Sequence, residues 1–186
     1  MKGKRYIYIV LTVLLVVLFA LDTCCGSIWI SPFSIGTDWS PVERQIFLNL
    51  RLPKALTALL AGAALSVAGL IMQTLFRNPL AGPYILGVSS GASIGVAFLT
   101  MCSTMLAGMA GVGALGIAAS AIIGSTIVLL LVMVVAKRVK SNVSLLIVGM
   151  MIGSIAGALV NLMQNYANPD SLKLFIVWTL GSLGGV

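Results

Sequence analysis

The stretch Ala55–Ser93 reads ALTALLAGAALSVAGLIMQTLFRNPLAGPYILGVSSGAS, and its reading decides the fold. From Ala55 to Phe76 it carries no charge and is built from apolar and small residues. A helix rises about 1.5 Å per residue, so about 20 such residues cross the hydrocarbon core of a bilayer. A lone strand cannot satisfy its backbone in lipid, so the run is read as a helix. Arg77, an Asn-Pro at 78–79 and a Gly-Pro at 82–83 follow. Each proline lacks an N–H and disfavours helix in the residue before it, so the chain bends here. Gly87, Gly91 and Gly95 then open a second apolar run. The stretch is one span, a bend and the start of the next span.

The same grammar runs along the chain. Apolar runs at Tyr6–Ile28, Ala55–Phe76, Ile85–Leu106, Gly113–Ala136 and Val143–Tyr166 predict five full spans, and a sixth starts near Leu174 and is cut short at Val186. The predicted fold is all-α: a polytopic transmembrane helical bundle, taken as a single incomplete domain over residues 1–186. Composition agrees. Charged residues make up 8% of the chain, against about 25% in soluble domains. The opening run could be a signal peptide. It is long for one, however, and Asp22-Thr23 before Cys24 is a poor cleavage context, so a retained first helix is favoured.

The net charge of +7 does not point to nucleic acid, because no basic run is interleaved with aromatics. The charges mark topology instead. Lys2, Lys4, Arg5, Arg77, Lys137, Arg138 and Lys140 fall on one side with no acid among them. Arg44, Arg51, Lys54 and Lys173 fall on the other, with Asp22, Asp38, Glu43 and Asp170. The positive-inside rule puts the N-terminus in the cytoplasm. Residues 29–53 then form an extracytoplasmic loop, with Trp29 and Trp39 suited to the interface.

Small residues recur every four positions in four spans: Ala58, Gly62 and Ser66; Gly87, Gly91 and Gly95; Gly116, Ser120 and Gly124; Gly149, Gly153 and Gly157. Such stripes let helix backbones approach closely, which favours association in lipid. The last stripe continues into Asn161 and Asn165, with Gln164 alongside. Amides at that depth need protein or water to face. Interhelical hydrogen bonding and one wall of a polar pathway both account for them.

Catalytic chemistry finds no footing. There is no His, the acids are scattered, and no phosphate-cradling G-x-x-x-x-G-K-[ST] occurs. Cys24, Cys25 and Cys102 lack metal-ligand spacing and read as packing residues. The chain is not read as an enzyme, and it is expected to hold no cofactor and no metal.

Three stretches carry a resemblance. RLPKALTALLAGAALSVAGLIMQTLFRNPLAGPYILGVSSGAS at Arg51–Ser93, SLLIVGMMIG at Ser144–Gly153 and VWTLGSLGGV at Val177–Val186 together resemble the FecCD-type permeases. The resemblance implies the N-terminal part of the membrane subunit of an ATP-driven importer for an iron-siderophore, haem or cobalamin-type metal chelate, in a bacterial cytoplasmic membrane. It implies a second permease subunit, ATP-binding cassette subunits that hold ATP and Mg, and an extracytoplasmic substrate-binding protein as partners. Arg51 matches the basic Arg-Leu-Pro-Arg motif that docks the binding protein, and Lys54 keeps the charge of its last position without the bidentate fork, so its pairing should be looser. An interfacial anchor at a helix start is the plainer role for the same pair. Asn78 and Leu80 match one element of a cytoplasmic gate. Asn142 and Val143 fall at the second, where relatives commonly carry small hydroxyl residues. Asn161, Gln164 and Asn165 suit the pathway lining. Such permeases have about ten spans, so the chain is expected to be a fragment or a truncated reading frame. A structural membrane protein without transport remains the alternative. A secondary transporter ranks last, because no ionisable residue sits mid-span.

Overall fold

A computed structural model describes residues 2–26, 39–102, 113–139, 141–181 and 183, and what it describes is helix, turn and bend. The first part of the expected outer loop (29–38), the end of the third apolar run (103–106), Lys140 and most of 182–186 lie outside the described residues. The helices are α1 (Lys2–Cys24), α2 (Pro41–Ile46), α3 (Leu52–Phe76), α4 (Val88–Cys102), α5 (Ala114–Ala136), α6 (Asn142–Tyr166) and α7 (Pro169–Leu180). A π-helical stretch, Phe47–Arg51, joins α2 to α3 without a break. Among the described residues, four helical segments are long and apolar enough to cross a membrane: Arg5–Cys24, Pro41–Phe76, Ala114–Ala136 and Asn142–Tyr166. Val88–Met101 is apolar but shorter. By contact the described residues fall into two compact units, one up to Ala63 and one from Ala64, and the division lies inside α3.

In the first unit, the helix that ends in α3 begins at Pro41, earlier than the apolar run suggests. Its start is a capping box. Ser40 Oγ accepts from Glu43 N–H at 3.3 Å, and Glu43 Oε2 accepts from Ser40 N–H at 2.8 Å. Together they satisfy two of the donors that a helix start leaves open. The Ser40 N–H, together with the Ser40 hydroxyl that donates to the same Oε2 at 2.8 Å, holds the Glu43 carboxyl below its ordinary value. The π turn that follows has a local cause. Pro53 cannot donate to the carbonyl four residues back, and its ring crowds that carbonyl. The turn ahead of it widens, and Leu52 N–H bonds to Phe47 O. Widened turns of this kind are common near functional positions.

The second unit is organised on α4, which packs along α5, α6 and α7. Two apolar clusters hold it. Phe76, Ala81, Leu86, Val128 and Val132 bury against each other around the 77–87 bend. Val96, Ala97, Met101, Val160 and Phe175 form the cluster toward α7. Polar side chains in the helices cost little, because hydroxyls bond back to their own helix. Thr74 Oγ1 donates to Leu70 O at 2.7 Å, Thr100 Oγ1 to Val96 O at 2.8 Å and Ser154 Oγ to Met150 O at 2.9 Å. The last helix starts at Pro169 rather than near Leu174. Asn168 is its extended N-cap residue, Pro169 its first residue, and Asp170 sits in its first turn.

Candidate functional site

The 77–87 bend is a helix ending followed by turns. Asn78 N–H bonds to Gln73 O at 3.1 Å and Arg77 N–H to Thr74 O at 3.3 Å. This is the Schellman pattern, which puts a left-handed residue just past the helix. Glycine usually takes that place; here Arg77 does, at φ 49°. A side chain in that conformation costs about 1–2 kcal/mol. The next carbonyl, Leu75 O, is taken from far along the chain. Asn142 Nδ2, in the first turn of α6, donates to it at 2.6 Å. Three late carbonyls of α3 are thus satisfied, two by the bend and one by α6.

Beyond Arg77, Asn78 Oδ1 accepts from Leu80 N–H at 3.0 Å, which fixes a local Asx turn. Leu80 stands 87% exposed at the tip, while Ala81 and Leu86 are buried beneath it. Of the four proposed gate residues, the fold therefore ties Asn142 to the helix end that carries Asn78. Leu80 and Val143 present their side chains outward.

The α4 contacts explain which stripe residues must be small. A Cβ on Gly91 would lie 2.6 Å from Val128 Cγ2 and 2.7 Å from Gly124 O. One on Gly95 would collide with Ser120 O, and one on Gly124 with Gly91 O. Across to α6, a Cβ on Gly149 would lie 2.7 Å from Ile85 O. Gly87, at φ +73°, approaches Gly149 and Gly153 backbone. A Cβ on Gly153 would meet Ser90 Oγ at an ordinary 3.4 Å, whereas one on Gly157 would find open space. Gly116 and Ser120 lie half-buried in the first turns of α5. Gly62 and Ser66 lie in α3, where a Cβ on Gly62 would meet nothing within 4 Å. Between α4 and α5 lies a groove of about 340 Å³ with Ile94, Phe98, Ile123 and Ile127 in its walls. It offers a polar cargo nothing, since the one hydroxyl in its lining, on Ser120, is bonded to Ile117 O at 2.8 Å.

The polar end of α6 is open. Asn161 and Asn165 are exposed and Gln164 is half-buried. Asn165 Nδ2 bonds back to Asn161 O at 3.2 Å. In the first unit, Lys54 is half-buried in the first turn of α3. Arg51 is half-buried too, and its Nη1 donates to Cys24 O at 2.9 Å and Thr23 O at 3.2 Å. Among the described residues no three His, Cys, Asp or Glu side chains gather as a metal site.

Residues 14–186 match the model of the FecCD transport family, so the chain belongs to that family of membrane permeases. It is 36% identical over 177 residues to the vitamin B12 import system permease protein BtuC of Escherichia coli O17:K52:H18 (strain UMN026 / ExPEC), across 95% of this chain and 52% of the relative. The BtuC of Escherichia coli strain K12 / DH10B is 35% identical over the same shares. A solved structure is similar at TM-score 0.78 and 30% identity, over 96% of this chain and 54% of the other. It is described as an inward-facing conformation of an ABC transporter assigned to the metal-chelate type. The chain thus spans about half the length of the curated relatives it matches. Like them it is a multi-pass membrane protein.

Proposed function

We propose that this chain forms part of the membrane permease of an ATP-driven importer for a bulky metal chelate, of the iron-siderophore, haem or cobalamin kind. The observation that carries the reading is the 36% identity to a vitamin B12 import permease, sustained over 95% of this chain. The geometry supports a division of labour. The 77–87 bend and the start of α6, joined by the Asn142 to Leu75 hydrogen bond, form the cytoplasmic gate. The outer half of α6, with Asn161, Gln164 and Asn165, lines the pathway. Lys54 and Arg51 lie on the outer side and steer the acidic face of an extracytoplasmic binding protein. The N-terminus is cytoplasmic and the membrane is the bacterial inner membrane. ATP and Mg are held by separate cassette subunits, whose turnover moves the helices between outward- and inward-facing states.

Co-isolation tests this reading. The tagged chain, extracted from its native membrane in mild detergent, should bring with it an ATP-binding cassette subunit and a second permease subunit. A binding protein should crosslink to it in intact cells. Recovery of the chain with none of these would overturn the reading in favour of a structural membrane protein.

A further inference from the structure

The first unit contains a contact that none of these roles uses. The last turn of α1 leaves carbonyls without intrahelical donors. Two of them, Thr23 O and Cys24 O, accept from Arg51 Nη1 at 3.2 and 2.9 Å. A guanidinium is well suited to this place, since it carries charge to the negative end of the helix and donates through a rigid planar fork. Three further observations converge on it. Gly26 lies against the guanidinium, where a Cβ would come 2.5 Å from Nη2 and 2.9 Å from Cζ. Thr23 and Cys24 are buried although most of α1 is exposed. Arg51 closes the π turn that Pro53 imposes, and this stretch packs against α1.

We infer that Arg51 is a positioning residue that caps the C-terminal end of α1, with Gly26 as the gap that admits it. The Arg51-Leu52-Pro53 sequence then has a structural logic of its own. Pro53 widens the turn, the widened turn carries Arg51 beside the end of α1, and the guanidinium pins that end to the start of the second span. This role does not depend on transport or on a binding protein. It makes Lys54 and Arg51 unequal: a docking carboxylate that drew on Arg51 would compete with two helix carbonyls, and one that drew on Lys54 would not.

Cys24 provides the readout, because it is 5% exposed and sits in the capped turn. In the full chain with Cys25→Ser and Cys102→Ser, labelling of Cys24 by a water-soluble maleimide is followed in detergent, with no partner protein present. Arg51→Ala should raise the labelling rate roughly tenfold, as charge-assisted hydrogen bonds at the helix end are lost. Gly26→Val should raise it as well by displacing the guanidinium. The two changes together should do no more than Arg51→Ala alone, since both remove the same contact. Arg51→Lys, which keeps the charge and a donor, should stay within about threefold of the parent. Should Arg51→Ala fail to fold by circular dichroism, Gly26→Val and Arg51→Lys carry the comparison. An unchanged rate in Arg51→Ala or Gly26→Val, or independent effects that multiply in the double variant, would overturn the cap.

Discussion

The two halves of α6 carry one sequence pattern and meet different surroundings. Gly149 sits against the Ile85 carbonyl with no room for a Cβ, while Gly157, two steps along the same four-residue stripe, has open space. Beyond it Asn161 and Asn165 are exposed. Helix geometry explains the divergence. Four residues turn through about 400°, so a stripe of spacing four drifts about 40° per step. Over the four steps from Gly149 to Asn165 it swings through about 160° and leaves the face on which it began. The buried residues of α6 are Gly149, Ala156 and Val160, whose spacings of seven and four hold one face. Glycines at the start of the stripe are there for close approach, and the amides at its end face away from α4.

The largest expected effect is at the contact of α4 with α5. Gly95→Leu or Gly124→Val forces a side chain into backbone and should cost roughly 3 kcal/mol or more, read as a fall in the detergent unfolding midpoint. Gly157→Val should stay within about 0.5 kcal/mol of the parent. Equal losses at the two places would erase the contrast between the halves of α6.

The 77–87 bend and the start of α6 give intermediate effects of opposite sign. Asn142→Ala removes the bond to Leu75 O and should cost about 1 kcal/mol. Arg77→Gly relieves a left-handed side chain and should gain roughly 0.5–1 kcal/mol once the looser unfolded chain is subtracted. Both are read by the same midpoint, and a loss on Arg77→Gly would contradict the helix ending described above.

The smallest effect lies at Ser40 and Glu43. The folded Glu43 carboxyl is held below its unperturbed 4.5. Its capping contribution is therefore complete above that pH and disappears as pH falls through the lowered value. Amide protection in the first turn of α2 should fall on acidification, and a Glu43→Gln variant, which caps without titrating, should be flat over the same range.

Much of this was legible because apolar run length is a direct measure of span length. Gly113–Ala136 and Val143–Tyr166 differ from α5 and α6 by one residue at the start, and Phe76 is the end of α3 as expected. The helix from Pro41 was written in Ser40-Pro41-Val42-Glu43, a capping box with proline in its first turn, but it lies in a mixed-charge stretch that hydropathy reads as loop. The start of α7 was likewise written in Asn168-Pro169-Asp170. The bond from Asn142 to Leu75 O joins residues 67 apart, and no local pattern encodes it. The same is true of the cap formed by Arg51, whose charge is visible in sequence and whose acceptors are bare carbonyls.

The proposed division of α6 into a packed face and a pathway-lining face is tested most directly by cysteine accessibility in native membranes. In a background lacking Cys24, Cys25 and Cys102, Asn161→Cys and Asn165→Cys should react quickly with a water-soluble maleimide, and Ala156→Cys and Val160→Cys should stay unlabelled. Silence at Asn161 and Asn165, with undiminished labelling at an exposed control such as Val143→Cys, would place that half of α6 against lipid or protein and contradict its assignment to the pathway.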